Sequence, residues 1–174
     1  MKKVAIIMGS DSDAPVMLAG IDVLERFGMT YEVEVMSAHR TPDRVREWTL
    51  EARRRGIGVI IVGAGAAAHL AGVIASHTTL PVIGVPLDAT ALHGMDALYS
   101  TVQMPAGIPV ACMAIGKAGA TNAAILAAEI LAVTDEALAE KLAERRTQMA
   151  EEVVAKSEKL KASLPQQATA NSPK

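Results

Sequence analysis

From Gly56 to Thr134 the chain carries only four charged residues, Asp88, Asp96, Lys117 and Glu129. A segment so long and so poor in charge has too little polar surface to coat a small monomer. Two arrangements satisfy it: a parallel sheet buried on both faces under its own crossovers, or broad contact with other subunits. The pattern points to both. Within this segment Ile57–Ala75 has no charge at all, yet four glycines interrupt it, His69 lies near its middle, and it opens on Val59-Ile60-Ile61-Val62. That is the pattern of a strand and a loop, and it argues against a membrane span.

Strand-like and helix-like runs alternate along the rest. Lys3–Met8 is nearly all apolar, and Gly9-Ser10-Asp11-Ser12-Asp13 turns into a helix over Ala14–Phe27, with Val16, Leu18, Ile21, Val23 and Leu24 as its expected buried residues. Pro15 suits that helix's first turn and Gly28 its end. Tyr31–Val35 alternates as a strand should, and a helix follows over Pro42–Arg55 with Thr41 placed to cap it and Asp43 in its first turn. Further strands are expected at Val59–Val62, Pro81–Pro86 and Val110–Ile115. The helices between and after them are a short one ending near Ser76, Met95–Val102, and an alanine-rich one at about Ala120–Ala132. Short connections between alternating elements define a three-layer α/β/α sandwich around a doubly wound parallel sheet. Every strand-to-helix loop then emerges at one edge of that sheet, so Gly9–Asp13, Ser37–Pro42 and Gly63–His69 can converge on one crevice.

A last helix is expected from Asp135 to about Lys161, with Thr134 as its cap. Leu138, Leu142, Met149, Val153 and Leu160 form a stripe along it, which suits either packing on its own domain or contact with a partner. Residues 1–161 thus read as one α/β domain with a long C-terminal helix, and 162–174 as a polar, disordered tail. The net charge of −2 gives no support for nucleic-acid or anionic-membrane binding. One cysteine, Cys112, excludes an intrachain disulfide and suits a cytoplasmic location; the apolar N-terminal run breaks at Gly9, too early for a signal peptide.

Four groups of residues carry chemistry. Gly9–Asp13 offers backbone N–H groups and serine hydroxyls to a phosphate, and Asp13 offers a carboxylate to a ribose diol, although Ser and Asp are also ordinary helix caps. His39 can give and take a proton near neutral pH, and Arg40 beside it can hold an anion; a solvated surface pair is the plainer alternative. Gly63-Ala64-Gly65-Ala66-Ala67-Ala68 matches a dinucleotide-binding pattern, with Asp88 at the spacing of a ribose acid, but the helix after it is short. His69, His77 and His93 show no metal-ligand spacing, and of these only His69 shares the crevice edge. No aromatic residue on these loops could stack on a flavin.

Four motifs in order resemble one family. They are Met8-Gly9-Ser10-x-Ser12-Asp13, Ser37-Ala38-His39-Arg40-Thr41-Pro42, Gly63-Ala64-Gly65 with Ala67-Ala68-His69-Leu70, and Gln103-Met104-Pro105-x-Gly107-Ile108-Pro109-Val110. Together, over about Val4–Ala132, they resemble the N5-carboxyaminoimidazole ribonucleotide mutases of purine biosynthesis, also called the catalytic subunit of phosphoribosylaminoimidazole carboxylase. The chain departs from that family at Ala66, where a third glycine is usual, and at Ala71, where proline is usual.

The resemblance implies a flavodoxin-like domain, a homo-octamer, a small ribonucleotide substrate, and neither metal nor organic cofactor. It implies that Ser10, Asp13 and Arg40 bind the nucleotide and that His39 is the general acid/base. Ser12, Ser37 and Ala38 on the same loops, and Gly65, Ala66, Ala67, His69 and Leu70 on the third, are expected to line the substrate. The sibling class, which carboxylates aminoimidazole ribonucleotide with free CO2, usually carries lysine at position 40, so arginine favours the mutase. The rival readings are that carboxylase, an NAD-binding enzyme using the Gly63–Ala68 pattern, and a nucleotide-sensing module without turnover.

Overall fold

The computed structural model describes residues 2–164. Five parallel strands form one sheet: β1 (Lys3–Met8), β2 (Tyr31–Val35), β3 (Ile57–Gly65), β4 (Val82–Leu87) and β5 (Ala111–Cys112). Their order is β2-β1-β3-β4-β5. The helices are α1 (Ala14–Arg26), α2 (Pro42–Ala52), α3 (Leu70–His77), α4 (Met95–Val102), α5 (Lys117–Ala132) and α6 (Glu136–Ser163).

Alternation along the inner strands sorts the core into two layers. Ala5 and Ile7 of β1 and Ile60, Val62 and Ala64 of β3 join one buried cluster with Val45 and Trp48 of α2, Leu70 and Ile74 of α3 and Ala97 of α4. The intervening residues Val4, Ile6, Val59 and Ile61 are equally buried. Their layer is closed by α1 and α5, the most closely packed helix pair of the fold. Glycine makes that closeness possible: a Cβ on Gly20 of α1 would lie 2.8 Å from the carbonyl oxygen of Ala120 on α5.

Three expectations change in α1 and the sheet. In α1 it is Met17 that is buried, while Leu18 is 51% exposed, because the face that meets α5 runs through Met17, Gly20, Val23 and Leu24. β3 does not stop at Val62: Gly63, Ala64 and Gly65 pair with Val85, Pro86 and Leu87. β5 is far shorter than Val110–Ile115, its ladder comprising Ile83↔Ala111 and Gly84↔Cys112. Pro86 in the facing strand has no N–H to continue it, and only the isolated bonds from Met113 N–H to Gly84 and from Gly116 N–H to Pro86 follow.

The chain divides into two compact units, Met1–Ala139 and Glu140 onward. In the first, α6 begins after Asp135, whose carboxylate accepts the N–H of Leu138 at 3.1 Å; Asp135 and not Thr134 is the cap. In the second, α6 carries ion pairs Arg145–Glu152 and Lys161–Glu158, with Met149, Val153 and Leu160 exposed. The helix continues to Ser163, past the expected start of the tail at 162, and 165–174 lie outside the described residues. No described helix is long and apolar enough to cross a membrane.

Candidate active site

The neighbouring strands β2, β1 and β3 end side by side, and the connections leaving them surround a crevice of about 370 Å³. After β1 the backbone N–H of Gly9 donates to the carbonyl of Gly63 at 3.2 Å, which ties the first loop to β3. Ser10 then caps the short turn Asp11–Asp13 in a reciprocal box: its hydroxyl accepts the Ser12 N–H, and the Asp13 carboxylate accepts the Ser10 N–H at 3.0 Å. Ser12 donates its own hydroxyl to that of Ser10 at 2.9 Å. Capping does not withdraw these residues from the crevice, since Ser10, Ser12 and Asp13 also line it. Asp13 is 9% exposed, and burial is the main cause that lifts its carboxyl above the usual value, against the backbone N–H groups of Ser10 and Gly9 and the charge of Arg40.

The second loop is held from within by Ser37 and Thr41. The Ser37 hydroxyl accepts the N–H groups of His39 and Arg40 at 3.3 and 3.2 Å. Thr41 occupies the N-cap position of α2 but makes no side-chain bond to the helix, contrary to expectation; its hydroxyl is bonded to the backbone of Ser37 instead. Pro42 and Asp43 do occupy the first turn. From this loop two side chains reach across the crevice. Arg40 donates through Nη2 to the Gly9 carbonyl at 3.0 Å, and His39 Nε2 lies 2.9 Å from His69 Nδ1.

The third side follows β3. Ala66, directly after the strand, has φ +53°, a left-handed conformation that strains any residue with a Cβ. The chain turns there and reaches His69 just before α3. Ala38, His39, Arg40, Ser37, Gly65, Ala66, Ala67 and Leu70 all border the crevice, and His69 joins it through His39. Gly9 and Ala64 border it as parts of the expected first and third loops, and Ala89 borders it without having been foreseen. Ala89 follows β4 at the same sheet edge; position is the only signal that could have found it.

The remaining candidates fall elsewhere. The first two glycines of the dinucleotide-like pattern lie inside β3, paired with β4, so no glycine turn forms there. Asp88 lies 3.7 Å from His93, His77 ends α3, and Cys112 sits half-buried in β5, where burial raises its thiol pKa. Among the described residues no three His, Cys, Asp or Glu side chains gather as metal ligands.

Fold and crevice together define a flavodoxin-like α/β protein with a crevice at the carboxyl ends of its parallel strands, where such sheets bind ligands. A family model described as AIR carboxylase matches residues 3–152, and the chain belongs to that family. The N5-carboxyaminoimidazole ribonucleotide mutase of Thermotoga maritima is 53% identical over 160 residues, 92% of each chain. That of Escherichia coli is 51% identical over 152 residues, 87% of this chain and 90% of its own. The crystal structure of Treponema denticola PurE superposes with a TM-score of 0.83 at 29% identity, covering 91% of this chain and 98% of that one.

Proposed function

We propose that this protein converts N5-carboxyaminoimidazole ribonucleotide into 4-carboxy-5-aminoimidazole ribonucleotide, an isomerisation in purine biosynthesis, with His39 as general acid/base and without a metal or organic cofactor. The observation that carries the reading is His39 in one crevice with Arg40 beside it on the same loop and Asp13 on the loop after β1. The names of relatives more than 50% identical over most of their length support the same reaction.

The chemistry needs one proton moved twice. His39 as imidazolium protonates the exocyclic nitrogen while the bond from nitrogen to the carboxylate carbon breaks, leaving the free amine and CO2. The ring carbon adds to that CO2, and neutral His39 then removes the proton from the same carbon, restoring the aromatic ring. The balance is zero, so no ATP or base is consumed. CO2 must stay within bonding distance between the steps. The methyl and main-chain wall Ala64–Ala67, with Ala38, Leu70 and Ala89, offers it an apolar side. Arg40 serves the substrate phosphate, Asp13 the ribose hydroxyls, and Ser10, Ser12 and Ser37 the remaining polar edges.

The protein acts as a cytoplasmic homo-oligomer, an octamer by resemblance. Met95, Tyr99 and Val102 support assembly: they recur at helical spacing on one exposed stripe of α4, with Leu92 exposed just before it. A second reading, carboxylation of aminoimidazole ribonucleotide by free CO2, is favoured by the family description. An assay separates the two. Incubated with the carbamate and no ATP, the protein should form the 4-carboxy isomer faster than it does from aminoimidazole ribonucleotide with bicarbonate. The reverse preference would establish the carboxylase, and no reaction with either would refute both.

A further inference from the structure

We propose that Thr41 is a positioning residue for this reaction, acting through Ser37 to hold the loop that carries His39 and Arg40. Thr41 has three bonds to one residue. Its N–H donates to the Ser37 carbonyl at 2.9 Å, its hydroxyl donates to the same carbonyl at 3.1 Å, and the hydroxyl accepts the Ser37 N–H at 2.9 Å. Ser37 in turn accepts the N–H groups of His39 and Arg40 on its own hydroxyl. The five-residue loop is thus closed at its base by Thr41 and filled at its centre by Ser37.

Among the described residues no further hydrogen bond lies within the loop, and its one apolar side chain, Ala38, packs against the core. His39 and Arg40 are exposed, and their outward contacts, to His69 and to the Gly9 carbonyl, go to the other walls of the crevice. A substrate entering between these walls competes for those contacts, since Arg40 must offer its guanidinium to an anion and His39 must exchange a proton. The clasp, together with the packing of Ala38 on the core, then sets where His39 stands. Small displacements of a proton-transfer group cost large factors in rate. Thr41 does this without serving α2, because its hydroxyl bonds no N–H of that helix. Removing the hydroxyl therefore takes nothing from the helix cap.

The test compares Thr41→Val, which keeps the branched shape and removes the hydroxyl, with Thr41→Ser, which keeps the hydroxyl. The proposal rests on the isomerase reading, and the readouts are chosen to separate the two. For Thr41→Val the expected result is a fall in kcat of about ten- to a hundredfold. Its melting midpoint should stay within about 2 °C of the parent, and the His39 imidazole resonances should shift or broaden in NMR. Thr41→Ser should restore most of the rate and the parental resonances. Parental kcat in Thr41→Val overturns the proposal, as does a melting midpoint that falls together with the rate. Where the parent protein itself fails to isomerise the carbamate, the isomerase reading fails; an unchanged His39 signal in Thr41→Val would then still refute the role of Thr41.

Discussion

His39 Nε2 and His69 Nδ1 stand 2.9 Å apart, with the two rings edge to face at 86°. At that distance one nitrogen carries a hydrogen and the other a lone pair, so the contact fixes the two tautomers relative to each other. A proton placed on both nitrogens would set two N–H groups against one another. Full protonation of the pair must therefore turn one ring away.

His39→Asn should abolish interconversion of the two carboxylated ribonucleotides, with kcat reduced about 10²- to 10⁴-fold, the range for loss of a general acid/base. Calorimetric affinity for the product should stay near that of the parent. Turnover close to normal would remove His39 from the chemistry.

Arg40→Ala should act on binding first. Loss of a charge-assisted contact to phosphate should raise KM about ten- to a hundredfold. A KM unchanged while kcat alone falls would show that Arg40 does not hold the phosphate.

Asp13 gives a pH signature. Burial raises its carboxyl pKa in the fold, so the folded protein holds that proton more tightly than the unfolded chain does. Stability is therefore lost as pH climbs from the ordinary carboxylate value through the raised one, and the cost is constant above it. Asp13→Asn removes this cost while its amide oxygen can still accept the Ser10 N–H. The variant should melt above the parent at neutral pH, by a margin that shrinks on acidification. Thermal scans across the acid range giving a constant margin would contradict this origin.

Gly20→Ala sets two effects against each other. Alanine improves an exposed helix interior by about 1 kcal/mol, but here its Cβ would meet the Ala120 carbonyl. Separating α1 from α5 should win, with a net loss of about 1–3 kcal/mol, read as a lower denaturation midpoint.

Ala66→Gly should move the other way. The left-handed conformation costs alanine about 1–2 kcal/mol, and glycine returns part of that as entropy in the unfolded chain. A net gain of about 0.5–1 kcal/mol is expected in chemical denaturation. Equal or lower stability would mean that the turn at Ala66 carries no strain.

Local pattern made much of this legible before any coordinates. β1, β2 and β4 announce themselves by apolar runs or alternation, and the Ser10 and His39 loops by caps and prolines beside them. What escaped depends on partners distant in sequence. Gly63–Gly65 has loop composition, yet its ladder with β4 overrides it. Leu18 and Met17 are adjacent in sequence but about 100° apart around the helix, and the docking of α5 at Gly20 decides which is buried. The His39–His69 contact spans thirty positions, and Ala89 reaches the crevice only because β4 lies beside β3.

The extension of β3 also bears on how the crevice can change. From Ala64 to Ala67 its floor holds no side chain larger than a methyl group. A Cβ on Gly65 would collide with that of Ala89, and one on Gly63 with Met17. A ligand shaped to this floor rests, at Ala64 and Gly65, on ladder-bound main chain that single substitutions cannot reshape without disturbing the sheet. Variants that escape such a ligand are expected on the rim, between Ser10 and Asp13 or between Ser37 and Thr41, where each change also touches the residues proposed to hold the substrate.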